Sequence, residues 1–295
     1  MLKGCNEIAH YKPLRVQKVG KAWLSRVFLC ALLFLSSCTN LFYFPSPQMV
    51  RTPSDVGIPF EPLVISHSTE PNLSGWFLPA RGETRGTVLF LHGNAENIST
   101  HFANVYWLPE HGYQVFLFDY AGYGESQGTP SVDGIHSDVA RMIRYVVADT
   151  RTKNTPLFLM GQSLGGTMAL YTASLPEFQH TFKAVTADAP FSSYRRIARE
   201  KLGLLWLTYL LQWPLGFLVY DGYSPDLNVP AIQVPVLLIH GLDDQTVPPH
   251  HSKRLCDLMG SYCERLEAAG LDHGKTLTEP EIRAKIVGFF ENSTQ

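Results

Sequence analysis

Beyond residue 38 the chain has no block of basic residues, no low-complexity tract and no internal repeat. Its charges there are mixed, so nothing marks it as a partner of nucleic acid. No G-x-G-x-x-G turn opens a helix, and no cofactor lysine is evident, so neither oxidoreduction nor any cofactor is indicated. No metal site is expected either: His250 and His251 are neighbours, and no carboxylate has a spacing that would complete a ligand set. Cysteine is scarce, with 5 in 295 residues. Of these, Cys5 and Cys30 lie in the N-terminal segment with Cys38 just after it, leaving Cys256 and Cys263, which could form a local disulfide in an oxidising compartment or stay as two buried thiols.

What is present divides into two environments. Residues 1–38 hold Lys3, Lys12, Arg15, Lys18, Lys21 and Arg26 against the single acid Glu7; the remainder carries 18 basic and 25 acidic residues. The run "VFLCALLFL" (27–35) follows Lys21 and Arg26 and precedes Ser36 and Ser37, which is the order of an export signal. "LSSC" at 35–38 resembles the bacterial lipobox. That resemblance implies cleavage before Cys38, lipidation of Cys38 and, with Thr39 next, the outer membrane facing the periplasm. The alternative is an uncleaved single-pass anchor, because residues 27–50 carry no charge and a spanning helix needs about 20 apolar residues. Against it, "SSCTN" interrupts the run and Pro45 and Pro47 break its end. The division expected is a signal or anchor at 1–37, a linker at 38–62 and one domain at 63–295.

Within that domain, "LVISHST" and "LSGWFLPA" read as an antiparallel pair. Five apolar runs follow: "GTVLFLHG", "QVFLFDY", "PLFLMGQ", "AVTADAP" and "VPVLLIHG". Near-continuous apolar runs suit parallel strands buried on both faces. Helical patterns over 131–149, 163–175, 249–259 and 280–292 separate or follow them, which predicts an α/β fold with a mainly parallel sheet covered on both sides. The alternation breaks at about 191–233, an aromatic and apolar insertion that is either buried core or a cap whose apolar side faces substrate or membrane.

Ligand sites in such sheets form at the carboxyl ends of strands, where the chemistry-bearing residues here fall. "GQSLG" (161–165) follows a strand and opens a helix, so small residues flanking Ser163 permit a sharp turn that exposes its hydroxyl. "LHGNAEN" ends another strand and can offer amide N–H groups to an oxyanion, Asn94 or Ala95, paired with Leu164. His92 there is better explained as shaping the turn. A serine nucleophile needs a base and an orienting acid. "IHGLDDQTVP" supplies Asp243 and Asp244, and "LDHG" supplies His273. The order Ser, Asp, His is that of the α/β-hydrolases.

The ordered motifs "FYFPSP", "GWFLPA", "TVLFLHGNAEN", "FDYAGYGESQGTPS", "GQSLGG", "FSSYRRIAREKL", "IHGLDDQTVP" and "DHG" resemble the bud-emergence-type, membrane-associated branch of the α/β-hydrolase-fold serine hydrolases, over roughly 41–291. The resemblance implies Ser163 as nucleophile, His273 as base and Asp244 as acid, with Asp243 and then Asp188 as rivals for the acid. It further implies hydrolysis of carboxylic esters, with lipid or thioester acyl groups included, through an acyl-enzyme. Peptidase activity and an inactive binding protein are the alternatives. The expected partners are a small-molecule or lipid ester and, through Cys38 or an N-terminal helix, a membrane.

Overall fold

A computed structural model describes residues 43–204 and 206–294. The signal, the lipobox-like cysteine and the candidate anchor all lie outside the described residues. Among the described residues ten strands occur in chain order: β1 (Phe44–Pro45), β2 (Glu61–Ile65), β3 (Leu73–Leu78), β4 (Gly86–Leu91), β5 (Ala95–Glu96), β6 (Tyr113–Phe118), β7 (Leu157–Gln162), β8 (Ala184–Asp188), β9 (Val236–Gly241) and β10 (Cys263–Ala268). Eight of them form one sheet in the order β10-β9-β8-β7-β4-β6-β3-β2, and β1 pairs with β5 separately. In the large sheet β2–β3 and β3–β6 are antiparallel, and all other pairs are parallel.

The strand sequences explain the layering. Every residue of β4, β6, β7, β8 and β9 is buried, because alternate side chains feed two separate cores. Leu89, Phe116, Leu159 and Leu238 point to one face, where α2 (Val132–Ala148), α3 (Leu164–Ala173) and α6 (His250–Met259) pack. Val88, Leu117, Phe158 and Ile239 point to the other, against Ile98 of the short α1 (Ile98–His101) and against α7 (Pro280–Asn292), whose Ile282, Ile286 and Phe290 share one stripe. The strand order reverses at β4, which has β6 on one side and β7 on the other. A crevice therefore opens beyond the carboxyl ends of β4 and β7.

The expected linker at 38–62 needs correction from Tyr43 onward. Tyr43 is buried, Phe44–Pro45 pairs with Ala95–Glu96, and Asn97 Nδ2 donates to both Ser46 O and Gln48 O at 2.9 Å. Met49, Ile58 and Phe60 pack on the second core. Prolines deprive this stretch of periodicity, so its burial leaves little trace in the pattern. The insertion after β8 holds α4 (Tyr194–Leu204) and α5 (Gln212–Phe217). Its apolar side chains divide: Phe191, Tyr194, Val229 and Ile232 belong to the core, whereas those in the middle do not, Trp206 being 88% exposed and Leu210 83%.

Candidate active site

Ser163 occupies the bend between β7 and α3 with φ 54° and ψ −115°. A non-glycine residue at positive φ is strained and needs surrounding structure to hold it there. Two constraints do so. Ser163 N–H donates to Asp188 O at 2.7 Å, tying the bend to β8. Gly165 lets α3 pass so close to β4 that a Cβ there would lie 2.0 Å from Leu91 O. A serine that merely capped the helix would accept a hydrogen bond from the first-turn amides. Ser163 makes no such bond, and its side chain faces a cavity of about 490 Å³.

His273 reaches the same cavity from the loop after β10. Its Nδ1 lies 2.6 Å from Asp244 Oδ2, and Asp244 stands in the loop after β9. The carboxylate is heavily engaged: Oδ1 accepts from Thr246 N–H and Val247 N–H at 2.8 Å each. His240 Nε2 lies 3.4 Å from Oδ2. Burial pushes the Asp244 carboxyl up, but hydrogen bonds from His240, His273 and the loop amides outweigh it and hold the group well below the usual range. Asp244 is thus a fixed anion beside the imidazole. The proton shared between them belongs on Nδ1, which leaves the His273 Nε2 lone pair free.

The rival acids are placed elsewhere. Asp243 is exposed, and its N–H donates to Leu271 O at 3.1 Å. Asp188 is fully buried at the end of β8, accepts from Thr276 Oγ1 and makes no hydrogen bond to His273. Burial, opposed by the Thr276 hydrogen bond, pushes its carboxyl up to about 6. His92 is completely buried, bonds its Nδ1 to Gly93 O at 2.8 Å, and is held well below its ordinary value by desolvation. It shapes the β4 turn. Asp272 is exposed and accepts from His273 N–H at 2.7 Å.

Asn94, Ala95 and Leu164 all line the cavity beside Ser163. Leu164 is the first residue of α3, so its N–H has no helical partner, and the helix terminus adds positive potential. The loop carrying Asn94 is braced: Tyr123 Oη donates to Asn94 O at 2.8 Å, and His101 Nε2 lies 2.9 Å from Ala95 O. In turn His101 Nδ1 and Asn104 Nδ2 meet Gln162 Oε1 at 3.1 and 3.0 Å. Sequence reasoning did not single out Tyr123, His101 or Gln162. The four-residue step from His240 to Asp244 in "IHGLDDQTVP" is the signal for the supporting place of His240.

The expectation about His250 and His251 also changes. Glu200 of α4 brings the missing carboxylate, 3.0 Å from each Nε2, and the three ligand atoms lie within 4.8 Å of one another. The chain distance between 200 and 250 hid this. Ser192 N–H, which can only donate, points at His251 Nδ1 at 3.1 Å. That fixes the proton on Nε2, where it faces Glu200. A metal at Nε2 would drive the proton to Nδ1, against that amide. The trio is a polar clasp joining α4 to the start of α6. Cys256 and Cys263 are disulfide-bonded.

A sheet of this order, a strained serine after β7, and an aspartate and a histidine on the loops after β9 and β10 define an α/β-hydrolase. The chain belongs to the α/β-hydrolase family that includes YfhR of Salmonella typhi, to which it is 32% identical over 261 residues, 84% of this chain and 85% of that protein. A match to the serine aminopeptidase S33 family spans residues 82–219. The lysophosphatidylserine lipase ABHD12 of Gallus gallus is 31% identical over 191 residues, 62% of this chain and 50% of that one. Among solved structures, the Pyrococcus furiosus esterase Pf2001 superposes with a TM-score of 0.67 at 21% identity, covering 84% of this chain and 98% of the esterase. At that identity the likeness is one of fold.

Proposed function

We propose that the protein is a serine hydrolase that cleaves carboxylic esters, lipid acyl esters foremost, by a Ser163–His273–Asp244 relay. The observation that carries this reading is a strained serine and an aspartate-oriented histidine facing one apolar cavity. His273 Nε2 takes the Ser163 proton as Oγ attacks the ester carbonyl. The resulting oxyanion is held by N–H groups of Leu164 and of Asn94, with Ala95 as the alternative donor. The imidazolium, stabilised by Asp244, returns the proton to the leaving alkoxide. Water, deprotonated by the same nitrogen, then releases the acid and restores Ser163. None of these steps calls for a cofactor. The named lipase relative and the apolar lining by Tyr43, Phe44, Phe191 and Ile197 support a lipid acyl group.

The S33 match favours peptidase chemistry as the second reading. A substrate amino terminus needs an anion, yet no Asp or Glu lines the cavity and Lys201 does. The location that accompanies the first reading is membrane attachment through lipidated Cys38, in an oxidising compartment that suits the disulfide. Hydrolysis of p-nitrophenyl esters from acetate to palmitate, with Ser163→Ala alongside, tests the reaction. Turnover should fall about a thousandfold or more in the variant, with an unchanged melting curve. Equal rates in the two proteins would refute it.

A further inference from the structure

We infer that the exposed face of the cap is a docking surface for a phospholipid bilayer, set beside the mouth of the active-site cavity. The inference extends the reading of the protein as a membrane-attached lipid hydrolase. Residues 202–220 contain no charged side chain, yet the described ones among them are largely solvent-exposed. Trp206, Leu207, Leu210, Trp213, Phe217 and Tyr220 are exposed by 56–88%. Contiguous apolar surface of this kind marks an interaction site, and tryptophan and tyrosine among leucines are what the boundary between headgroups and acyl chains favours. The segment cannot span a bilayer: Pro214 interrupts it, its pieces are short, and among the described residues no helix is long and apolar enough to cross. It can only lie in the interface.

Two further observations select a bilayer over a protein partner. The patch rests on α4, which carries Arg195, Arg196, Arg199 and Lys201 against one acid, Glu200; Arg195 faces Asp221, and the net positive charge that remains beneath the patch suits phosphate headgroups. Arg199 stacks under both Trp213 and Phe217, 4.5 and 4.6 Å from the ring centres, which props the aromatic rings outward. The second observation is reach. Tyr43 is a wall of the cavity, and the five residues from Cys38 to Tyr43 extend at most about 18 Å. A lipid on Cys38 therefore holds the cavity close to the membrane, and α4 contributes Ile197, Ala198 and Lys201 to the same cavity. Docking the cap points that opening toward the layer that holds its substrate.

The full chain, carrying Trp23→Phe so that Trp206 and Trp213 are the exposed tryptophans, is bound to phosphatidylcholine vesicles with brominated acyl chains. Bromine should quench the emission of these two residues, and Trp206→Phe/Trp213→Phe should abolish the quenched component, because Trp76 and Trp107 are buried. The variant Leu207→Glu/Leu210→Glu/Phe217→Glu should lose quenching and hydrolyse vesicle-borne ester about tenfold more slowly, with water-soluble ester turnover unchanged. Failure of the chain to bind vesicles, or binding without quenching, overturns the inference. So does a dimer in solution whose association shields the two tryptophans from the lipid. If quenching persists while no ester is hydrolysed in a Ser163-dependent way, the hydrolase reading fails and the docking surface stands.

Discussion

Asp188 shows how one residue can serve the candidate site without entering the proposed relay. Its carbonyl holds the Ser163 amide and its carboxylate holds Thr276, three residues beyond His273. Its other carboxylate oxygen has no partner, which is why burial pushes the group up to about 6. Between pH 4 and 6 the unfolded chain has released this proton and the native chain retains it, so stability falls as pH rises through that window. Asp188→Asn keeps an acceptor for Thr276 and removes the charge. Urea midpoints measured from pH 4 to 7 should lose that downward slope, a difference of roughly 3 kcal/mol at neutral pH. Asp244 behaves oppositely: its depressed value contributes stability above its unfolded value that is lost as pH falls. Gly165→Ala is the steric counterpart. Its Cβ meets backbone, not a flexible side chain, so a loss of about 3 kcal/mol or more is expected in thermal melts.

At the level of elements, the sheet was the most legible part of the chain. "TVLFLHG", "PLFLMGQ" and "VPVLLIHG" are apolar without alternation, and only strands buried on both faces combine that pattern with turn residues at each end. Because the site hangs on the ends of those strands, Ser163, Asp244 and His273 could be located with them. The cap was not legible, since a run such as "LLWLTYLLQW" reads alike whether neighbours cover it or solvent does. The Glu200 clasp was hidden because it joins elements fifty residues apart. It makes its own prediction: Glu200→Gln weakens the hold on α4, and proteolysis within 204–220 should quicken while the sheet keeps its hydrogen-exchange protection. The disulfide ties α6 to β10 over a separation of 7 residues. Cys256→Ser/Cys263→Ser should lower stability by about 2 kcal/mol in denaturant titrations, with ester turnover retained because neither residue touches the cavity.

For the whole molecule, the cavity sets what can react. Its volume of about 490 Å³ and its lining of Phe44, Phe191, Tyr194 and Val247 suit the acyl chain of the proposed ester substrate, with Lys201 contributed by α4. Lys201→Ala should raise KM for esters bearing an anionic head group several-fold and leave neutral esters nearly unaffected, which a paired comparison of the two series reads directly. The strand pair β1–β5 carries one more consequence, a mechanical one. Among the described residues, Phe44–Ser46 is the first stretch held through its backbone, by Ala95, Glu96 and Asn97, on the loop that also presents Asn94 to the cavity. Force applied along Phe44–Ser46 is therefore borne by that loop. Under tension in an optical trap, ester turnover should drop at loads below those that unfold the domain, so that this small strand pair would act as a brake on the proposed hydrolase.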